Sequence, residues 1–148
     1  MFKHLFKIAF SVVLASSVLM TASGGALAQS NKTFSTNKNS IPVVIQTDEG
    51  REVVRYSQLN PTQKRQLDRV LLSLKNAGPD LPPLNQSKIR LKAIDRNPEA
   101  AGCGFNSTGS EPFQFGCWIG GKVCYVSAGP GGVDGGCHQC NGTNCPKD

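Results

Sequence analysis

The sequence predicts an α+β protein: a small N-terminal β-hairpin, one amphipathic helix and a basic strand, followed by a disulfide-stapled, glycine-rich β-hairpin module. Two pairs of short β-branched or aromatic runs flank turn residues, which is the pattern of β-hairpins. One stretch between them repeats its apolar residues with the helical period. All six cysteines lie in the C-terminal third of the 148 residues. We expect a signal peptide over residues 1–28, a disordered lead-in over 29–40, a small α/β region over 41–100 and a cysteine-rich module over 101–148.

The first 28 residues have the pattern of a cleaved secretory signal peptide. A positively charged start precedes an apolar run over residues 8–20, and the Ala-Leu-Ala of residues 26–28 is a small-residue cleavage site. The apolar run is shorter than the roughly 20 residues that cross a bilayer comfortably. We therefore expect a secreted or periplasmic protein whose mature chain begins at Gln29.

The N-terminal hairpin is predicted from two β-branched runs. Residues 42–47 and 52–57 are the two strands, and the Asp-Glu-Gly of residues 48–50 supplies the turn. The polar residues 29–40 before it lack periodicity, which is the basis for expecting disorder there.

A helix is predicted over residues 61–77. Asn60 is placed to cap its N-terminus, with Pro61 at the first helical position and Gln63 at the third. Gly78 is placed to end it at the C′ position. The residues at helical spacing form an apolar stripe, Leu67, Val70, Leu71 and Leu74. We expect this stripe to pack on the preceding hairpin, and a groove-binding helix is the less favoured alternative.

A basic strand is predicted over residues 88–94, after a proline-rich connector. Its apolar residues alternate with an outer row of cations, Lys88, Arg90 and Lys92. Residues 29–100 carry 12 Lys or Arg against 7 Asp or Glu, whereas residues 101–148 carry 2 against 3. The basic row is therefore a candidate for weak contact with an anionic surface, although charged edge strands also serve only to discourage edge pairing.

Six cysteines in an exported chain predict three disulfides. The cysteines concerned are Cys103, Cys117, Cys124, Cys137, Cys140 and Cys145. A second hairpin is expected over residues 115–119 and 122–126 around a Gly-Gly turn, which places Cys117 opposite Cys124. These two cysteines could bond to each other or reach outward to Cys103 and the final cluster, and 15 pairings are open.

The aromatic residues of this hairpin are the leading candidates for a binding surface. Trp118, Tyr125 and Phe115 fall within a short stretch, and alternation places Trp118 and Tyr125 away from the sulfur atoms. They form either the small core of the module or an exposed contact patch. The glycine-rich residues 127–136 are expected to be a loop without regular structure.

The composition argues against an enzyme. Cys137-x-x-Cys140 has redox spacing but is not followed by a helix, and an oxidising compartment favours disulfides over a metal site, so we predict no metal and no cofactor. His138 is the only histidine outside the signal peptide. We predict an exported, non-enzymatic binding protein of the envelope or medium, with an extracytoplasmic protein or envelope component as partner. The alternatives are a precursor that releases its C-terminal segment as a toxin-like or inhibitory peptide, and a thiol or metal protein.

Overall fold

The computed structural model describes residues 37–93, 100–141 and 145–146. In this part of the chain one α-helix accompanies a six-stranded mixed sheet, which confirms the α+β class. The predicted signal peptide and residues 29–36 of the lead-in lie outside the described residues.

The strands in chain order are β1 (Pro42–Thr47), β2 (Gly50–Arg55), β3 (Gly102–Ser107), β4 (Phe113–Ile119), β5 (Lys122–Gly129) and β6 (Gly132–Gln139), and helix α1 (Pro61–Asn76) lies between β2 and β3. The order across the sheet is β2-β1-β3-β4-β5-β6. All neighbours are antiparallel except β1 and β3, which are parallel. The N-terminal hairpin and the cysteine-rich segment are therefore parts of one sheet.

The first hairpin is confirmed, with its second strand two residues earlier than predicted. β2 begins at Gly50, whose φ of 145° suits only glycine, and the tight turn contains Asp48 and Glu49. After Arg55 the chain leaves the sheet and forms a 3₁₀ helix over Tyr56–Gln58.

Helix α1 is also confirmed, together with its N-terminal cap. Asn60 Oδ1 accepts a hydrogen bond from the Gln63 amide at 2.8 Å, and Gln63 Oε1 accepts one from the Asn60 amide at 3.1 Å. The C-terminal prediction was wrong: Ala77 is extended, and Gly78 does not adopt the left-handed conformation expected of a C′ glycine. Lys122 Nζ instead donates to the carbonyls of Ala77 and Gly78, at 3.1 and 3.0 Å. A cation from the sheet thus satisfies the carbonyl end of the helix.

The apolar stripe of α1 lies on the sheet over β4 and β5 rather than on the first hairpin alone. Because successive strand residues point to opposite faces, the sheet has two cores. The core under α1 contains Ile41, Val43, Tyr56, Leu59, Leu67, Val70, Leu74, Cys103, Phe105, Cys117 and Cys124. The core of the opposite face contains Leu84, Leu91, Ala93, Trp118, Val123, Tyr125, Cys140 and Cys145.

The predicted basic strand over residues 88–94 is not a strand in the described part of this segment. A 3₁₀ helix covers Gln86–Lys88, and residues 89–93 have no sheet partner. Gln114, a fully buried side chain of β4, takes the place of a neighbouring strand: its Oε1 accepts from the Arg90 amide at 2.6 Å and its Nε2 donates to the Lys88 carbonyl at 2.8 Å. The alternation of burial is nevertheless as expected, since Leu91 is buried and Lys92 exposed. Residue 94 lies outside the described residues.

Two segments predicted to be irregular are ordered. Lys38–Ser40 in the lead-in form a 3₁₀ helix capped by the Asn37 side chain. The predicted glycine loop over 127–136 is a third hairpin, because β5 continues to Gly129 and β6 begins at Gly132. Gly135 has a φ of 153°, and a side chain there would collide with the Tyr125 carbonyl. Glycine here permits close strand pairing rather than disorder.

We predict that Gly116→Ala destabilises the protein strongly. An added Cβ would lie 2.5 Å from the Cys124 carbonyl oxygen and 2.8 Å from both Leu91 and Tyr125 side-chain atoms. Overpacking of this kind costs about 1–3 kcal/mol. Denaturant unfolding of the oxidised protein measures the change. Gly78→Ala is the control, because its Cβ would meet nothing within 4 Å. Equal stability of the two variants would contradict this packing.

We predict that neither tyrosine ionises near pH 10 in the native protein. Burial raises the pKa of Tyr56, and the hydrogen bond to Asp68 raises it further. Burial and the charge of Asp134 raise the pKa of Tyr125. A native pKa above the unfolded value of about 10 stabilises the fold below pH 10, and this contribution is lost as the pH rises above it. Absorbance at 295 nm together with unfolding free energies measures this, and Tyr56→Phe should flatten the alkaline loss. Ordinary titration near pH 10 in folded protein would refute it.

Candidate functional site

Two disulfides join neighbouring strands across the sheet. Cys103 in β3 bonds to Cys117 in β4, and Cys124 in β5 bonds to Cys137 in β6; in each case the two residues are direct partners in the strand register. Cys117 and Cys124 are also direct partners, but each bonds outward, which was one of the two arrangements left open. The four half-cystines thus form one row across β3–β6, on the face that α1 covers.

The third disulfide is local. Cys140 bonds to Cys145, and both are buried in the second core. All six cysteines are therefore oxidised, as predicted. Cys137 and Cys140 belong to different disulfides, so the Cys-x-x-Cys spacing does not form a redox pair. Among the described residues no group of three or more His, Cys, Asp or Glu side chains is arranged to hold a metal ion.

The three aromatic residues proposed for binding are divided between the two faces. Trp118 and Tyr125 are each about 3% exposed and belong to the second core. Phe115 is partly buried on the α1 face, with its ring centroid 6.1 Å from that of Phe105 and 5.7 Å from that of Phe113. Of the two alternatives stated for these rings, Trp118 and Tyr125 therefore follow the core alternative, and they lie against Gly102 and Gly116.

The predicted basic row is largely neutralised. Lys88 Nζ lies 2.9 Å from Asp134 Oδ2, and Arg90 Nε lies 3.2 Å from Glu111 Oε1. The hydrogen bond to Asp134 and its charge raise the pKa of Lys88. Lys92 is exposed at the surface. Because two of the three cations are paired with acids, the row does not present a continuous positive surface.

Strand β6 is one edge of the sheet, and its main chain is exposed. Gly132, Gly135 and Gly136 are all exposed, and a glycine has only backbone to expose. Val133, on the same strand, is 77% exposed. Unpaired backbone groups at a sheet edge are a template for an added strand. β6 is therefore the strongest candidate for an interaction surface that the described residues offer.

The direction of the free backbone groups follows from two sets of contacts. The Gln139 amide donates to the Pro82 carbonyl at 2.8 Å, and the Gln139 carbonyl accepts from the Leu84 amide at 2.9 Å, so residue 139 points away from β5. The Cys140 amide donates to the Gly121 carbonyl at the β4–β5 turn. Backbone groups alternate in direction along a strand, so those of residues 133, 135 and 137 also point outward. The chain itself already uses the end of this edge, through a parallel bridge between Pro83 and Gln139.

Asp134 protects the middle of this edge. Its Oδ1 accepts a hydrogen bond from the outward-pointing Gly135 amide at 2.8 Å, while its Oδ2 pairs with Lys88. These contacts, led by the Lys88 hydrogen bond, lower the pKa of Asp134. A carboxylate that accepts the hydrogen bond of an edge amide makes that amide unavailable to another strand. It therefore discourages indiscriminate strand pairing, as charges on edge strands do in general. The opposite edge, β2, instead carries several charged side chains, Arg51, Glu52 and Arg55.

A polar cleft of about 720 Å³ lies between the end of β1 and the residue 86–92 segment. Its lining includes Arg90, Glu111 and Asn106, which are joined to one another by the Arg90–Glu111 ion pair and by a hydrogen bond of 2.9 Å from Asn106 to Glu111. Its polar groups are used largely to hold the connector on the sheet. Thr108, also in the lining, has a buried hydroxyl without a partner among the described residues.

Comparisons with known proteins give no match: the sequence matches no protein-family model, no curated protein and no solved structure. Over the described part of the chain, no helix has the length and apolar character needed to cross a membrane.

Sequence reasoning did not find the β6 edge. The run of five glycines and one proline in residues 127–136 predicts a loop, whereas the structure has a hairpin there. The signal in the sequence was the pair of turn residues Pro130-Gly131, which lies between two stretches of similar length. In the second stretch, Val133 and Cys137 both fall on the alternate positions 133, 135 and 137. That pattern is typical of a hairpin when the glycines are read as strand residues.

We predict that Asp134→Ala increases self-association. Without the carboxylate, the Gly135 amide is free and the edge loses its charge, so pairing between two copies becomes easier. Analytical ultracentrifugation over a concentration series from about 10 to 300 μM should show a larger dimer fraction than in the wild type. Asp80→Ala is the control, since it removes an equal charge from the exposed connector. Asp134→Asn, which keeps an acceptor for the Gly135 amide but loses the charge, should lie between the wild type and Asp134→Ala. An unchanged Asp134→Ala protein would contradict the protective role.

Proposed function

We propose that this chain is an exported, disulfide-stabilised, non-enzymatic binding protein that captures an extended segment of an extracytoplasmic partner protein by strand addition along β6. The observation that carries the proposal is the exposed main chain of β6, whose far end already pairs with the chain's own residues 82–84. In strand addition, main-chain hydrogen bonds supply affinity and alternate side chains supply specificity.

Export is supported by two independent features. The first 28 residues have the charge, apolar run and cleavage site of a signal peptide. The three disulfides are typical of proteins that reside outside the reducing cytoplasm.

The construction of the edge suits binding. The Cys124–Cys137 disulfide ties β6 to β5, so the strand is held in its extended form before a partner arrives. Preorganisation reduces the entropy lost on association, which improves affinity without adding contacts. The outward groups of residues 133–137 span about five residues, or roughly 17 Å of extended chain. A partner strand would displace Asp134 from the Gly135 amide.

The chemistry of the described residues favours binding over catalysis. Oxidation of all six cysteines leaves no thiolate as a nucleophile. The His138 ring stacks on Tyr125 with a centroid separation of 5.6 Å, and its Nδ1 is buried without a partner among the described residues. A general base needs a partner that orients it, which makes His138 a poor candidate.

The precursor alternative has less support. Release of the cysteine-rich segment would separate β3 from β1, which pair from Val43 and Cys103 through Thr47 and Ser107. It would also remove α1 from the core that contains Cys103, Cys117 and Cys124. Both losses expose an apolar surface that the intact chain covers.

The proposal is tested with Val133→Pro, which removes an outward amide that the sheet itself does not use. Octapeptides selected from a random display library against the wild type serve as the probe. We expect their affinity to fall at least 10-fold in Val133→Pro, because proline cannot donate to an added strand. Isothermal titration calorimetry gives the dissociation constants.

Val53→Pro is the matched control on the opposite edge. Val53 is 51% exposed in β2, and its amide also points outward, because the neighbouring Arg55 amide donates to the Gln58 side chain rather than to β1. We expect peptide binding within about twofold of the wild type. Retained binding in Val133→Pro, or loss only in Val53→Pro, would exclude β6 as the site.

A further inference from the structure

The positive charge of the described chain is concentrated on α1. The helix contains four cations and one acid: Lys64, Arg65, Arg69, Lys75 and Asp68. Asp68 is occupied internally, because its Oδ1 accepts hydrogen bonds from the Tyr56 hydroxyl at 2.6 Å and from Lys38 Nζ at 3.1 Å. The outer surface of the helix is therefore left with uncompensated cations.

Four of the exposed residues of α1 lie along one line. Arg65, Arg69, Leu72 and Asn76 follow one another at spacings of four, three and four, so they share a face of the helix. All four are exposed, whereas Leu67, Val70 and Leu74 on the opposite side are buried against the sheet. Lys75, in the last turn, lies beside this line and is also exposed.

Leu72 makes this face different from an ordinary solvated one. It is 59% exposed, and cations stand three residues before and three residues after it, at Arg69 and Lys75. Within the described residues, neither of these two cations has an acidic partner. An apolar side chain between cations suits an anionic lipid surface, since the cations bind phosphate groups while the apolar group enters the acyl boundary.

We infer that the outer face of α1, formed by Arg65, Arg69, Leu72 and Lys75, docks reversibly on anionic lipid headgroups. This surface lies on the side of α1 away from the sheet and is independent of the β6 edge. A soluble polyanion would use the cations equally well but would gain nothing from Leu72. The leucine is the observation that favours lipid over an acidic polysaccharide.

The experiment measures binding of the mature protein, residues 29–148, to 100 nm vesicles in a sedimentation assay. Vesicles of phosphatidylglycerol and phosphatidylcholine at 3:7 should bind the protein at low salt, and pure phosphatidylcholine should not. With about 1 kcal/mol for each cation near an anionic surface, Arg69→Gln should weaken the partition coefficient roughly fivefold and Arg65→Gln/Arg69→Gln roughly 30-fold. Binding should decrease strongly at 0.5 M NaCl, where the screening length is short.

Two controls make the result decisive. Lys92→Gln removes an exposed cation away from α1 and should change binding less than twofold. Leu72→Ser should weaken vesicle binding several-fold while leaving heparin binding unchanged, with circular dichroism confirming an intact helix. Equal losses in Lys92→Gln and Arg69→Gln would indicate a diffuse charge effect and overturn the inference. Unchanged vesicle binding in Leu72→Ser would favour a polyanion and overturn it as well.

Discussion

The structure depends on a row of sulfur atoms beneath a helix. Cys103, Cys117 and Cys124 are almost fully buried, and with Cys137 they cross four strands at one level. Other apolar residues of the same face, among them Phe105, Phe115 and Val126, pack around this row. The disulfides here have two roles. By restricting the unfolded chain, each one that closes a loop of this length stabilises the folded state by about 3 kcal/mol. Their sulfur atoms also form part of the core on which α1 packs. Without the row, the core under α1 would lose three buried side chains and the partly buried Cys137.

The opposite face is packed differently. The sheet has depressions at three glycines, Gly102, Gly104 and Gly116. The indole of Trp118 and the side chain of Leu91 occupy these depressions. The connector that carries Leu91 is held by the side chain of Gln114, which replaces a strand partner. Large side chains therefore pack against glycine residues on this face, and the aromatic residues have a structural role for that reason.

Much of the secondary structure could be predicted because the signals are local. The capping box at Asn60, the β-branched runs of β1 and β2 and the Gly-Gly turn after Ile119 depend on nearby residues. The parallel pairing of β1 with β3 could not be predicted, since nothing in either strand identifies a partner more than 50 residues away. The burial of Trp118 was left open and the strand over residues 88–93 was wrongly predicted for a related reason: both depend on what covers one face of the sheet, which periodicity cannot report. For the site, the cysteine oxidation was predictable from composition, whereas the β6 edge depends on the position of a strand within the sheet.

The connectivity of the disulfides has a consequence for how the protein matures. Each cysteine bonds to the next along the chain, in the order 103–117, 124–137 and 140–145. Synthesis from the N-terminus presents the cysteines in that same order. Oxidation that joins each new thiol to the unpaired one before it would give the native pattern without any exchange of mispaired bonds.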